Sequence, residues 1–407
     1  MENTQLKNKG TQQFAPATWL NKLLDFAQLK DAGVAIWKLP QDNIIHILCD
    51  LDGGSSIDEV NLDDLESGFI LAPFLAGTQQ NIHFKADIKG YFELEKEAKP
   101  NENVIEISWE NITEDQEMEI TQINISRQPH LKLKKYPQIE STRKEDYIKM
   151  VKEGIAAISR EELYKIVPSK IKCIPIKEDL DIADAYLRAC NKYEDAFVSL
   201  TFSPKTGLWM GASPETLIED KKNEYFKTVA LAGTQAKDEK SIANTAWTQK
   251  EIEEQAYVSR YIINCFKKIR LREYEEIGPK TIQAGNLLHL KTSYKVDTNT
   301  LNFPELASVM LKLLHPTSAV CGMPKVISLD FLKKHETHER SYFSGYLGPV
   351  HMDQKSNIFV NLRCCQFSQD KAIFYAGAGV TEDSEPEKEW QETEIKCNVL
   401  ANIIFHD

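Results

Sequence analysis

The apolar positions of this chain change their period along its length, and each change marks an element. In the first third, short runs such as Ala35-Ile36-Trp37 and Ile44-Ile45-His46-Ile47-Leu48 are broken by Gly53-Gly54 and by a charged stretch from 93 to 102. This is the pattern of strands separated by turns. Tyr147, Met150, Val151, Ile155 and Ile158 recur at helical spacing, and residues 165 to 176 then switch to a β-branched, strand-like run. Further on, the pattern predicts strands over 197–202 and 208–212, a long helix over about 245–272 and a helix near 303–314. Strands at 357–367 and 372–375 and a closing helix follow. Ser384 with Glu387 three residues later reads as a capping box for that last helix, and Pro386 falls in its first turn. Strands mixed with helices, without a regular βαβ rhythm, predict an α+β fold with large, mostly antiparallel sheets. The one candidate linker, 128–139, carries Pro129, Pro137 and several lysines and would divide a 1–140 part from a 141–407 part. No internal repeat is visible.

Over 407 residues, a hydrophobic fraction of 42% and a charged fraction of 27% suffice for one large core or two smaller ones. No run of eighteen apolar residues occurs and the N-terminus is polar, so the expectation is a cytoplasmic protein with no membrane span and no signal peptide. Eight scattered cysteines without a CxxC pair fit reduced core thiols better than a disulfide framework or a zinc site. The net charge of -12 argues against nucleic acid or an anionic membrane as partner. A small anionic substrate remains compatible, provided that a few Lys or Arg residues or a divalent metal supply positive charge locally.

Several carboxylates are candidates for chemistry. In the closing helix Glu389, Glu392 and Lys396 lie at i, i+3 and i+7 and share a face, while Trp390, Thr393, Cys397 and Leu400 form the neighbouring, more core-like face. Taken alone, that face reads most simply as solvated, with an ion pair between Glu392 and Lys396. Glu254 in the long helix shares its face with Tyr257, Val258 and Tyr261, and a carboxylate set against apolar surface needs a partner. Two glutamates from different helices meeting in a pocket suit Mg²⁺, which takes few protein oxygens and fills its shell with water and substrate oxygens. The competing reading is a surface glutamate in the run Glu251, Glu253, Glu254. Ser213-Pro214-Glu215 forms a turn after an apolar strand, a common place for site residues. Gly377-Ala378-Gly379 also follows a strand, but Glu382 stands where a third glycine would be, so a dinucleotide fingerprint is rejected. Backbone N–H groups there could still approach a carboxylate.

The order of the motifs then becomes informative. From residue 165 the chain reads Lys165-Ile-Val-Pro-Ser-Lys170, Ala212-Ser-Pro-Glu215, Leu231-Ala-Gly-Thr234, Lys250 through Glu254 to Val258, and Leu288-His289-Leu290. It continues with Leu314-His-Pro-Thr-Ser-Ala319, Arg340 through Gly345, Asn361-Leu-Arg363-Cys, Gly377-Ala-Gly379 and Glu389-Trp-Gln-Glu392 through Lys396. Over roughly 145–403 this resembles the catalytic region of the chorismate-utilising enzymes: isochorismate synthases, salicylate synthases, anthranilate synthase large subunits and aminodeoxychorismate synthases.

The resemblance implies large antiparallel sheets flanked by helices, with the site in a cleft and chorismate as substrate. It assigns Glu254 and Glu392 to Mg²⁺, with Glu389 close by. It assigns Arg363, Lys396, the backbone at Gly377 and the Gly233-Thr234 turn to the substrate carboxylates, and His289, Ala319 and Phe343 to the pocket. Water-adding members carry a lysine at the position of Lys165, as the general base, where ammonia-using relatives have glutamine; Glu215 would be the general acid. Ala232 stands where aminodeoxychorismate synthases have a nucleophilic lysine. These positions favour an isochorismate synthase, with menaquinone supply preferred over siderophore or salicylate formation. Salicylate synthase is the alternative, which Phe343 disfavours because lyase-capable relatives often have tyrosine there. A non-catalytic chorismate-binding subunit would not need Lys165, Glu215, Glu254 and Glu392 together. Pro168 interrupts the strand that carries Lys165, and Lys170 stands where many relatives have arginine. The oligomeric state stays open, a monomer being compatible.

Overall fold

The computed structural model describes residues 14–94, 105, 107–123, 133–136, 138–177, 180–236, 245–284 and 287–405. Most of the charged stretch 93–102 and half of the linker candidate 128–139 lie outside the described residues.

Period-2 alternation builds two nine-stranded sheets. The first runs in spatial order Ser108–Glu110, Ile88–Glu93, Ile44–Asp50, Gly33–Lys38, Phe197–Ser203, Gly207–Ser213, Cys364–Phe367, Lys371–Gly377 and Ser169–Pro175. The second runs Glu275–Ala284, Leu287–Asp297, Tyr225–Ala236, Thr216–Lys221, Lys355–Val360, Tyr346–Val350, Gly68–Ala72, Asn81–Lys85 and Ser55–Ile57. Neighbouring strands in both sheets pair antiparallel, and strands from the first 140 residues sit in each sheet beside strands from the rest of the chain.

Alternate residues of a strand face opposite ways, and here both faces are covered. In Gly33–Lys38, Val34 and Ile36 pack under the helices Pro16–Leu29 and Ile182–Lys192, whereas Ala35 and Trp37 turn to the second sheet. In Gly68–Ala72, Phe69 and Leu71 face inward, while Ile70 and Ala72 share a cluster with the helices Lys144–Ser159, Gln249–Lys268 and Leu306–Leu314. The result is four layers: helices, sheet, sheet, helices. The layer between the sheets is aromatic, with Phe197 stacked on Phe359 at 4.1 Å and Trp37 against Phe69 at 5.2 Å.

Three local expectations need correction. The run 357–367 is two strands in different sheets, because residues 361–363 turn out of one sheet into the other and Arg363 takes a left-handed φ of 48°. The run 165–176 is likewise broken at Pro168, into Lys165–Ile166 and Ser169–Pro175. The closing helix Pro386–Ile404 has no capping box: Glu385 is its N-cap without a side-chain bond, and Ser384 Oγ instead accepts from the Thr381 N–H at 3.1 Å. The eight cysteines are free thiols, all buried except the half-buried Cys173.

The stacked pair between the sheets gives a first test. Phe197→Ala removes a buried ring from a layer closed on both sides, so the urea unfolding midpoint should fall by the equivalent of about 3–5 kcal/mol; a shift under roughly 1 kcal/mol would contradict this packing.

Candidate active site

Two places where the chain passes from one sheet to the other define the site. The Ser213-Pro214-Glu215 turn leads from Gly207–Ser213 in the first sheet to Thr216–Lys221 in the second, and residues 361–363 lead back from Lys355–Val360 to Cys364–Phe367. The two crossings are bonded to each other: Ser213 Oγ donates to Val360 O (2.5 Å), Val360 N to Glu215 O (3.0 Å) and Ala212 N to Arg363 O (3.1 Å). Glu215 and Arg363 are thereby held at one seam, and both line a cavity of about 730 Å³, its open mouth included.

The second sheet adds a wall at its own irregularity. Between Ala232 and Gln235 the register slips against the neighbouring strand, and Gly233 within the slip has φ 69°. The Gly233 carbonyl accepts from His289 Nδ1 at 2.9 Å, so the proton of this imidazole sits on Nδ1. Burial first, then the Arg363 charge, pushes His289 down to about 3. A neutral ring with a buried, unpartnered Nε2 therefore presents a lone pair at the cavity wall.

Lys165 enters on the short strand Lys165–Ile166, which pairs with Gly322–Met323 and is bonded on its other side to Val380. Its buried ammonium lies 3.3 Å from Glu254 Oε1. Glu254 is set by its neighbour: Gln255 Nε2 donates to Thr292 Oγ1 (2.9 Å) and Ala230 O (3.2 Å), which pins the helix Gln249–Lys268 to the second sheet. Glu254 also needs Gly379, where a Cβ would stand 1.7 Å from Glu254 Oε1.

From the closing helix, Glu392 and Lys396 reach the cavity, paired at 2.6 Å, with Lys396 also donating to Gly377 O at 2.9 Å. The ion pair expected for a solvated face thus exists, but inside the site. Burial pushes the Glu392 carboxyl up, and Lys396, Lys250 and Arg363 outweigh it, so the net shift is down and Glu392 stays ionised. Glu389 is placed differently. It is fully buried, takes Lys250 Nζ on Oε1 at 2.5 Å, is absent from the cavity lining and leaves Oε2 without a partner. Burial, with Glu392 nearby, holds its carboxyl high.

Glu215 is the other perturbed acid: burial pushes it up to about 7, against the pull of Lys165 and Lys396. Arg363 moves the opposite way, down to about 10, because burial outweighs Glu392. Thr234, Ala319 and Phe343 complete the lining expected from the sequence. The structure adds Arg340, Tyr375 and Gly379 to that lining, and Lys250 behind it. Each lay inside or beside a quoted motif, but only three-dimensional packing shows what each one touches.

The fit to a divalent ion can be judged from the donors. Among the described residues no three His, Cys, Asp or Glu side chains converge as a ready cage. A buried carboxylate, Glu254, and a half-buried one, Glu392, at one cavity wall, with an unpartnered Glu389 oxygen behind them, do match the oxygen-only, partly open coordination that Mg²⁺ prefers.

The family profile described as "Chorismate binding enzyme" matches residues 85–405. The chain belongs to the chorismate-binding enzyme family. The vibriobactin-specific isochorismate synthase of Vibrio cholerae is 26% identical over 299 residues, covering 70% of this chain and 73% of that protein. Isochorismate synthase EntC of Escherichia coli is 26% identical over 203 residues, covering 48% of this chain and 51% of that protein, so the match spans about half its length. The solved structure of MenF, the menaquinone-specific isochorismate synthase of Escherichia coli, superposes with a TM-score of 0.73 over 96% of this chain and 91% of that one. At 18% identity the likeness is one of fold, and it establishes the chorismate-utilising architecture of two antiparallel sheets flanked by helices. Among the described residues no helix is long and apolar enough to cross a membrane.

The contact at Gly379 yields a prediction. Gly379→Ala must displace the Glu254 carboxylate and crowd Lys165, whose Cε lies 3.1 Å from the added methyl position. Turnover of chorismate should fall on the order of 10²-fold with the melting temperature nearly unchanged; wild-type turnover would show that Glu254 need not occupy this position.

Proposed function

We propose that the chain is an isochorismate synthase that moves the hydroxyl of chorismate from ring carbon 4 to carbon 2, using Mg²⁺. The observation that carries this reading is the juxtaposition of Lys165 and Glu215 in one cavity, close enough for the ammonium to act on the carboxyl, with Glu215 near 7. Such an acid is protonated at neutral pH and can give its proton away, which an ordinary glutamate cannot do. The matched isochorismate synthases support the same reading.

The proposed step balances as follows. Lys165, in its neutral form, takes a proton from a water whose oxygen bonds to carbon 2. The ring double bonds shift, the bond from carbon 4 to its hydroxyl breaks, and Glu215 supplies the proton with which that hydroxyl leaves as water. One water enters and one leaves. Arg363 and Lys396 provide the positive charge for the substrate carboxylates, and His289 accepts a hydrogen bond from a substrate hydroxyl through Nε2. Glu254 and Glu392 would hold Mg²⁺, with Glu389 behind them. When bound, the ion withdraws charge from the ring carboxylate and fixes its position. Phe343 gives the wall an apolar face without a hydroxyl, which favours release of isochorismate over pyruvate elimination. Of the pathways that this product could supply, we favour menaquinone; loss of menaquinone with siderophore output intact in a deletion strain would support that choice, and the converse would replace it.

The decisive experiment is incubation with chorismate and Mg²⁺, followed by chromatography. Isochorismate should accumulate, and pyruvate released at the rate of chorismate loss would identify a salicylate synthase instead. A chelator should abolish turnover and added Mg²⁺ restore it, while Glu254→Gln and Glu392→Gln should each weaken Mg²⁺ binding in calorimetry; full activity after exhaustive chelation would refute the metal assignment.

The pH dependence follows from the sign of the Glu215 shift. The acid works protonated, so its contribution is present below about 7 and is lost as pH rises through about 7. A decline in kcat should therefore begin near neutrality. Glu215→Gln and Lys165→Ala should each cost roughly 10²- to 10⁴-fold in kcat, and near wild-type turnover in either would remove that residue from its role.

A further inference from the structure

Arg340 lines the cavity and, as a buried cation near a site for a dicarboxylate, invites assignment to the substrate. Its hydrogen bonds say otherwise. Nε donates to Glu336 Oε2 (2.9 Å), Nη1 to Val320 O (2.7 Å), and Nη2 to both Val167 O (2.6 Å) and Glu336 Oε1 (2.5 Å). Of the five N–H groups of a guanidinium, one on Nη1 is left. The planar cation also lies over the Phe74 ring at 4.4 Å and the Phe343 ring at 5.8 Å. It is committed to protein.

What it binds is the segment next to Lys165. The two-residue strand Lys165–Ile166 is too short to hold itself in place, and the next strand of this run begins only at Ser169. Between them Pro168 lacks an N–H. Backbone bonds reach the gap at two points only, from Cys321 on one side through Val167 N to Cys321 O (3.2 Å) and from Ala378 on the other through Ala378 N to Pro168 O (3.3 Å). The remaining groups are satisfied by side chains: Arg340 takes Val167 O, and Glu336 Oε1 accepts from Ser169 N (2.8 Å) and Ser169 Oγ (2.7 Å). Because the Ser169 proton points to Glu336, His338 Nε2 must donate to Ser169 Oγ at 3.0 Å. Burial raises the Glu336 carboxyl, and Arg340 outweighs it, so Glu336 stays ionised.

We propose that the buried Glu336–Arg340 pair is a side-chain splice across the Pro168 break, and that both are positioning residues that aim Lys165 into the cavity rather than groups that touch the substrate. This rests on the reading of Lys165 as the base. Positioning matters here because a displacement of about 1 Å can cost on the order of 10²-fold in rate.

The test uses the full chain with Ser169→Ala, Glu336→Gln and Arg340→Lys. A lysine ammonium is a point charge without the planar fork and should not span Val167 O, Val320 O and Glu336 together, so Arg340→Lys should not rescue. Amide hydrogen exchange over 165–169 should accelerate in every folded variant. The kcat for isochorismate should fall by roughly 10- to 10²-fold in Glu336→Gln and Arg340→Lys, and by less in Ser169→Ala, with the calorimetric Kd for chorismate unchanged. Ser169→Ala buries no unpaired charge, so it keeps the test decisive if either charge variant fails to fold. Wild-type exchange and kcat in a folded variant would overturn the proposal. A chorismate Kd weakened in step with kcat would do the same, making Arg340 a substrate ligand. Failure of the wild-type protein to make isochorismate would instead count against the reading of Lys165, whereas the exchange result stands independent of any activity.

Discussion

The hydrogen-bonded pair of sheet crossings is the constraint on which the rest of this structure depends. A strand that leaves one sheet for another strips its turn of ladder partners, and buried backbone groups must then find others. Here each crossing supplies the partners of the other, through Ser213 Oγ to Val360 O, Val360 N to Glu215 O and Ala212 N to Arg363 O. The arrangement couples the two sheets covalently and by hydrogen bonds at one seam. It also puts an acid and a cation, Glu215 and Arg363, on the two crossings of that seam, facing one cavity.

Charge in that cavity is arranged to be held rather than cancelled. The protein carries -12 overall, yet Lys165, Arg340, Arg363 and Lys396 all line the site beside Glu215, Glu254 and Glu392. Burial in low dielectric makes every unpaired charge costly and every paired one strong. The pairs therefore sort the groups by role. Glu392 is kept ionised by Lys396 and Lys250, Arg340 is spent on Glu336 and carbonyls, and Glu215, with no bonded cation, is the carboxyl that burial is free to push up to about 7. An acid that can release a proton at neutral pH results from leaving one carboxylate of the set without a direct cationic partner.

Much of this was legible in the sequence, for identifiable reasons. Helical period announced helices over 147–158, about 245–272 and near 303–314, where the structure has 144–159, 249–268 and 306–314, because each buries one face and leaves the other to solvent; short apolar runs announced most strands because they pack into the cores. The failures cluster where tertiary contacts override local chemistry. Ser384 satisfies the capping pattern with Glu387, yet its hydroxyl is taken by the Thr381 N–H, so the cap is lost. The run 357–367 is uniformly strand-like, and nothing local says that 361–363 will leave the sheet, since Arg363 is an unusual residue for a left-handed φ. Glu389 and Glu392 share a helix face, and only the packing of Lys250 from another helix separates the buried one from the one at the cavity. Arg340 sat in a quoted motif, but its role depends on carbonyls of residues 167 and 320, far away in the chain.

These departures share a physical origin. Over the central strands of each sheet, side chains inside a regular ladder face either the helices or the opposite sheet, and both of these layers are dry and apolar. Apart from Glu254, Glu392 and Lys396, which reach the cavity from helices, the charged groups face it where the ladder is broken. Glu215 and Arg363 lie at the sheet crossings, Gly233 at the register slip, Lys165 beside the Pro168 interruption, and Gly377 at the last residue of its strand. Each break removes backbone partners, and side chains replace them: Ser213 at one crossing, His289 at the slip, Lys396 at the strand end, and Glu336 with Arg340 at the proline. The residues that repair the sheets are therefore neighbours of the residues that face the substrate. That proximity ties the backbone repairs directly to the wall of the cavity, so the same side chains that close a break in a sheet also fix where Lys165, Glu215 and Arg363 stand.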